Sequence, residues 1–267
     1  MHNLLFFGSN NYPGGGVILL ILLLRKRTLG VVFAGVFLLG LGSFNLALHP
    51  NMHKWKKEKK VVTMVITSEK VVALTFDDGP DAVKTPAVLE SLAKHNVHAT
   101  FFVIGSRAEK QPQLLKMMAA QGHEIANHSY SHSYANFKAN KIEVFKEEIE
   151  TTNSIISLTT GQIPRLFRPP GGYLSDNMVE FVNSEQLTIA YWTWQQDSKD
   201  WRTGQCGQAI ADHIIKNIQP GQIILLHDGA NNGLETARAV DILLTKLTAE
   251  GYRFITMSEL IKLENKE

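Results

Sequence analysis

Val71-Val72-Ala73-Leu74-Thr75-Phe76-Asp77-Asp78-Gly79-Pro80 is the stretch that decides how this chain folds. Six residues rich in apolar and β-branched side chains, with no polar alternation, read as a strand buried on both faces, the kind found in parallel sheets. Two aspartates close it, and Gly79-Pro80 turns the chain immediately afterwards. Carboxylates at the carboxyl end of such a strand stand where α/β folds place their chemistry.

Outward from this strand, β-like and helix-like segments alternate. Residues 85–94 predict a helix, 97–104 a β-rich run, and 111–121 a helix closed by Gly122. Residues 141–157 carry Ile142, Phe145, Ile149, Ile155 and Ile156 near helical spacing and stop before Gly161. Ser175 is placed to cap a helix over 176–183. Then come a strand over 187–194, a helix over 208–218, a short buried strand over 222–226, a helix over 234–250, a strand over 252–255 and a last helical turn at 258–262. This alternation predicts an α/β fold with a mostly parallel sheet, open or closed as a barrel.

Charged and imidazole side chains gather at the predicted strand ends. His128 and His132 follow the short run 124–126, and Arg168-Pro169-Pro170 follow Leu166-Phe167. Asp197 and Asp200-Trp201 follow the strand through Trp194, and His227-Asp228 follow residues 223–226. Alone, each has a plain structural explanation: a turn, a cap, an ion pair, a buried histidine. Five together at successive strand ends point to an active site. One carboxylate and two imidazoles with a vacant position form a usual ligand set for a hydrolytic metal, and the second aspartate remains available as a base. His95, His98, His123 and His213 have no partner at a recognisable spacing and read as structural.

Composition narrows the function classes. The 267 residues are 44% hydrophobic, enough for a sizeable core. The net charge of +2 conceals an asymmetry: residues 1–60 hold eight Lys/Arg and one acidic residue, and 61–267 hold 19 against 24. An acidic main body is a poor nucleic-acid binder. Cys206 is the only cysteine, which excludes an intramolecular disulfide.

Arg25-Lys26-Arg27 precede an uncharged stretch, 29–48, whose only polar side chains are Ser43 and Asn45. Twenty residues of helix reach ~30 Å, the thickness of a bilayer core. The expected organisation is an N-terminal extension at 1–28 that the mature protein need not retain, a transmembrane anchor or signal segment at 29–48, a basic linker at 49–70 and a catalytic domain at 71–267. Asn45-Leu46-Ala47 matches a signal cleavage site weakly, which favours an uncleaved anchor. The lysines at 54, 56, 57, 59 and 60 pull the other way, since they would prefer the cytoplasmic side.

The ordered set Thr75-Phe76-Asp77-Asp78-Gly79-Pro80, His128-Ser129-x-x-His132, Arg168-Pro169-Pro170, Asp197-x-x-Asp200-Trp201 and Leu225-Leu226-His227-Asp228 resembles the five motifs of the polysaccharide deacetylases, carbohydrate esterase family 4, also called the NodB-homology domain. The resemblance spans 71–261. It implies a distorted (β/α) barrel with fewer than eight repeats and a divalent metal, zinc first and cobalt or manganese as alternatives. It implies removal of N-acetyl groups from an amino-sugar polymer such as peptidoglycan or chitin. The family pattern places the metal on Asp78, His128 and His132, with Asp77 as base, Arg168 holding that base, and His227 as the acid for the departing amine. Asp200, rather than Asp197, is matched to orient His227. Gly171 offers a backbone N–H to the oxyanion, and Tyr173, Trp201 and Leu225 wall the acetyl and sugar.

One departure stands out. Many members carry an aromatic residue directly after the two prolines, where this chain has Gly171-Gly172 before Tyr173. The expected partners are a cell-wall glycan and, through the N-terminal segment, the membrane. No nucleic acid and no second subunit are expected, and the domain is expected outside the cytoplasm. The rival readings are an O-acetyl esterase on xylan-like polymers and a catalytically idle glycan-binding wall protein.

Overall fold

The structure is a computed structural model that describes residues 51–138 and 140–264. The expected extension at 1–28 and the expected span at 29–48 lie outside the described residues. Among the described residues no helix is long and apolar enough to cross a membrane.

In chain order the elements are α1 (Met52–Lys57), β1 (Val61–Val62), β2 (Val71–Asp77), α2 (Lys84–Lys94), β3 (Thr100–Val103), α3 (Gly105–Lys110), α4 (Pro112–Ala120), β4 (Glu124–Asn127), α5 (Tyr134–Lys138), α6 (Ile142–Thr160), β5 (Leu166–Phe167), α7 (Asp176–Ser184), β6 (Thr188–Ala190), α8 (Gly207–Lys216), β7 (Ile223–His227), α9 (Gly233–Ala249), β8 (Arg253–Ile255) and α10 (Met257–Glu264). The strands run in the order β1-β6-β5-β4-β3-β2-β7, with β8 also on β2, and their pairings are parallel. The sheet curls into a half-barrel. Its two edges are tied by the Thr193 N–H donating to the Ile223 carbonyl at 3.1 Å and by bridges from Asp197 to Leu225 and from Met64 to Gln222.

The expected β/α alternation is present, and β2 is buried at every position, as a strand covered on both faces should be. Phe76 of β2 stacks on Phe101 of β3 at 4.9 Å, beneath α2, α8 and α9, which press Leu89, Leu92, Ile210, Ile214, Val240 and Leu244 onto the sheet. Each such side chain contributes roughly 1.5–3 kcal/mol when fully buried. Gly161 ends α6 in the left-handed conformation, and Ser175 Oγ caps α7 by accepting from the Met178 N–H.

The structure departs from the sequence pattern in three places. The strand expected over 187–194 is only Thr188–Ala190; beyond it the backbone leaves the ladder and turns through a 3₁₀ segment at Trp194–Gln196. The β-rich run expected from 97 begins at Thr100, and α3 forms directly after it, unannounced by apolar periodicity. The lysine-rich segment expected as a linker carries α1 and β1, and the compact unit begins at Asn51. Trp55 explains this: its ring is 2% exposed, and its Nε1–H donates to Asp176 at the head of α7 at 2.8 Å. Asn51 donates to the same carboxylate, and β1 then adds to the sheet beside β6. One buried indole covers enough apolar area to seat a six-residue helix too short to persist alone.

Candidate active site

The candidate residues converge at the carboxyl ends of the strands. In an extended strand Asp77 and Asp78 would point to opposite faces. Asp78 has φ of +71°, and this left-handed step turns its carboxylate back toward the face that Asp77 occupies. Ser129 and His132 are also left-handed, at +65° and +57°. Side-chain residues in this region cost free energy and persist only where their surroundings fix them. Those surroundings are visible. Arg107 Nη1 donates to the Asp78 carbonyl at 2.7 Å and to the Gly229 carbonyl at 2.9 Å. Gly229 approaches so closely that a Cβ there would lie 2.0 Å from the Asp78 carbonyl oxygen. The 128–132 turn hangs on Glu148 of α6, whose carboxylate accepts the Tyr130 N–H, the Ser131 N–H and the Ser131 hydroxyl. Asn127 adds a bond from the Ser129 N–H.

Asp78 Oδ1 lies 3.1 Å from His132 Nε2 and 3.5 Å from His128 Nε2. That oxygen is buried and has no geometrically sound hydrogen bond. His128 Nδ1 lies 2.8 Å from the Arg168 carbonyl, which can only accept, so Nδ1 carries the proton and Nε2 presents its lone pair. Burial and the neighbouring His128 push the His132 imidazole down to about 4, which leaves it neutral at pH 7. Burial alone would raise the Asp78 carboxyl, but His128, with His227 and His132, holds it well below the ordinary carboxylate range. The three ligand atoms lie within 4.8 Å of one another. Bonds of about 2.0–2.2 Å at tetrahedral angles would separate them by roughly 3.3–3.6 Å, so the donor set fits a divalent transition metal.

Asp77 faces this cluster from the other side, with Oδ2 3.7 Å from His128 Nε2. Its Oδ1 accepts from Arg168 Nη1 at 2.7 Å. Arg168 is fully buried and held by further bonds: Nη1 also donates to Thr75 Oγ1, Nε to the Ala190 carbonyl and Nη2 to the Tyr191 carbonyl. Only one arm of the fork therefore reaches the carboxylate, and the rest locks the guanidinium to the sheet.

Asp77 and His227 are register partners on β2 and β7, so their side chains leave neighbouring strands, roughly 5 Å apart, on the same face. His227 Nδ1 lies 2.8 Å from Asp200 Oδ1. Asp200 Oδ2 accepts the His227 backbone N–H and the Thr236 hydroxyl, each at 2.8 Å. Burial alone would lower the imidazole pKa; the Asp200 carboxylate, helped by Asp77 and Asp78, pushes it up to about 9. Asp197 pairs with Lys199 instead, so Asp200 is the one of the two aspartates that contacts the His227 ring. Gly171 lies in the Pro170–Gly172 turn, Tyr173 packs beside it, Trp201 is 43% exposed beneath the Arg202 guanidinium, and Leu225 is buried in β7.

The sequence reading missed the supports: Arg107, Glu148, Asn127 and Thr236. It quoted Asp228 beside His227 but gave it no role; this is a fully buried carboxyl whose Oδ2 accepts from Thr85 while Oδ1 has no partner. Burial, with Asp78 and Asp77 nearby, pushes it up to about 7 against the Thr85 hydrogen bond. Asp228 and Asn127 adjoin His227 and His128, whereas Arg107 and Thr236 stand at no spacing that separates them from an ordinary helix residue. Glu148 left a trace, a charge among the apolar positions of α6.

A family model described as polysaccharide deacetylase matches residues 65–190. The chain is 38% identical over 201 residues to a peptidoglycan-N-acetylglucosamine deacetylase of Bacillus cereus, covering 75% of this chain and 92% of that protein. Its fold matches the crystal structure of a peptidoglycan N-acetylglucosamine deacetylase with TM-score 0.74 and 32% identity, over 79% of this chain and 96% of the other. It also matches a pseudoenzyme of carbohydrate esterase family 4 from Bacillus anthracis, with TM-score 0.68 and 30% identity, over 75% and 68% of the two chains. This chain belongs to the polysaccharide deacetylase family, carbohydrate esterase family 4.

Proposed function

We propose that this chain is a metal-dependent N-deacetylase that hydrolyses acetamido groups on the amino sugars of a cell-wall glycan. The observation that carries it is the pairing of Asp77 and His227 on one face of the sheet, beside three converging ligand atoms. A module that merely held glycan would need neither the Arg168–Asp77 bond nor the Asp200–His227 pair, and both are present.

Asp78, His128 and His132 would hold a divalent metal, which when bound would supply Lewis-acid polarisation of the acetyl carbonyl and lower the pKa of water. Asp77 Oδ2, the oxygen that Arg168 leaves open, takes a proton from the attacking water as the new C–O bond forms. The Gly171 backbone N–H would steady the oxyanion. His227, protonated through Asp200, gives its proton to the nitrogen as the C–N bond breaks, so acetate and a free amine leave. Zinc suits this mixed carboxylate and imidazole set, and cobalt or manganese would serve as substitutes.

Two of the relatives named above are peptidoglycan N-acetylglucosamine deacetylases by name, which makes that sugar the leading substrate over N-acetylmuramic acid or chitin-like oligomers. Such a substrate lies outside the membrane, so residues 49–267 are proposed to be exported, with 29–48 serving as a membrane anchor or a signal segment. Acetate release from N-acetylglucosamine oligomers tests the reaction: the expected result is loss of activity on exhaustive chelation and recovery with zinc. Full activity after chelation would contradict it. Mass spectrometry of muropeptides from cells with and without the protein assigns the sugar.

A further inference from the structure

We propose that Tyr134, set edge-on against His132 and the Gly171 turn, is the aromatic wall for the sugar ring that bears the acetamido group. The inference rests on the deacetylase reading and extends it to a residue outside the five motifs.

Gly171 adopts φ of +59°, and a Cβ at that position would lie 2.8 Å from Tyr134 Cε1 and 2.9 Å from Tyr173 Cε2. A side chain at 171 would be strained and would have to displace two rings at once. The aromatic residue that many relatives carry directly after the prolines is missing here, and its neighbourhood is closed by a ring from another element. Tyr134 opens α5, two residues beyond His132, and Glu148 anchors the preceding turn at Tyr130 and Ser131. Its ring meets His132 edge-on at 5.0 Å and 65°, and meets Tyr173 at 5.9 Å and 74°.

Despite these contacts Tyr134 remains 47% exposed, and its hydroxyl has no hydrogen-bond partner among the described residues. A half-open ring with an unengaged hydroxyl, touching a candidate metal ligand, matches a pyranose. Such a ring offers C–H groups on its face and hydroxyls at its rim, and tyrosine presents an apolar body with a polar tip. Direct contact with His132 places the ring beside the reacting unit rather than at a remote subsite.

Calorimetric binding of an N-acetylglucosamine tetramer to zinc-loaded protein carrying Asp77→Asn tests this without turnover. Tyr134→Ala in that background is expected to weaken binding about tenfold, within the range for truncating an aromatic hot spot. Tyr134→Phe and Tyr134→Trp should retain most of it, whereas Tyr134→Leu, which fills space without a π face, should resemble the alanine variant. Unchanged binding by Tyr134→Ala, or equal binding by the leucine and phenylalanine variants, would overturn the proposal. If the unmutated enzyme releases no acetate while tetramer binding still depends on the ring at 134, the deacetylase reading fails and the Tyr134 assignment stands.

Discussion

Two histidine-bearing regions face each other across this site with opposite electrostatics. On one side His132 is neutral, pushed down to about 4 by burial and His128, and Asp78 Oδ1 is buried without a hydrogen bond. On the other, His227 is pushed up to about 9, and Asp200 has both oxygens engaged by His227 and Thr236. The same two residue types, carboxylate and imidazole, give contrary results because of what else each touches. The first side directs several lone pairs at one point, an arrangement that a cation would complete. The second carries its own proton and is complete as it stands.

The largest expected effect breaks the first side. His132→Ala should abolish bound metal and acetate release together, because the remaining carboxylate and imidazole cannot close the ligand set. Metal analysis alongside the rate checks this; retained metal would show that His132 is not a ligand. On the second side, His227→Ala should reduce the rate roughly 10²–10⁴-fold, the usual worth of a positioned proton donor, with metal content unchanged.

Smaller effects sharpen the contrast. Glu148→Gln should weaken metal affinity about 10–100-fold, since the turn carrying both imidazoles loses a carboxylate that accepts three donors. Competition with a calibrated chelator measures it, and unchanged affinity would remove Glu148 from the account. Asp200→Asn should act through pH. The raised pKa of His227 means that the acid form persists below about 9 and is lost above it. Without the carboxylate that pKa falls, so the alkaline limb of the pH–rate profile should move to lower pH. An alkaline limb in the same place would detach Asp200 from the acid.

The catalytic pattern was legible because metal ligation and proton transfer demand few residue types, and the parallel sheet places them after apolar runs. β2 with Asp77 and Asp78 shows this best, since a seven-residue buried strand leaves no other place for two carboxylates to emerge. The supports were hidden because their function lies in hydrogen bonds over long sequence separations. Arg107 reaches the Gly229 carbonyl across 122 positions, and Thr236 reaches Asp200 across 36. The linker expectation failed at Trp55 for a related reason: one aromatic among lysines gives no periodicity, yet its burial against α7 decides the structure of the segment. Tyr134 was obscure because its place depends on a glycine 37 residues later in the chain.

The central claim, that neighbouring aspartates divide base from ligand, is tested most directly by metal titration of Asp77→Asn and Asp78→Asn side by side. Asp77 is bound by Arg168 and Asp78 faces the two imidazoles. Asp77→Asn should therefore still take up one equivalent of zinc with its rate lowered roughly 10²–10⁴-fold, and Asp78→Asn should take up none at the same concentration. Zinc retained by Asp78→Asn and lost from Asp77→Asn would reverse the two roles, and near-normal rates in both would contradict the hydrolytic reading of the site.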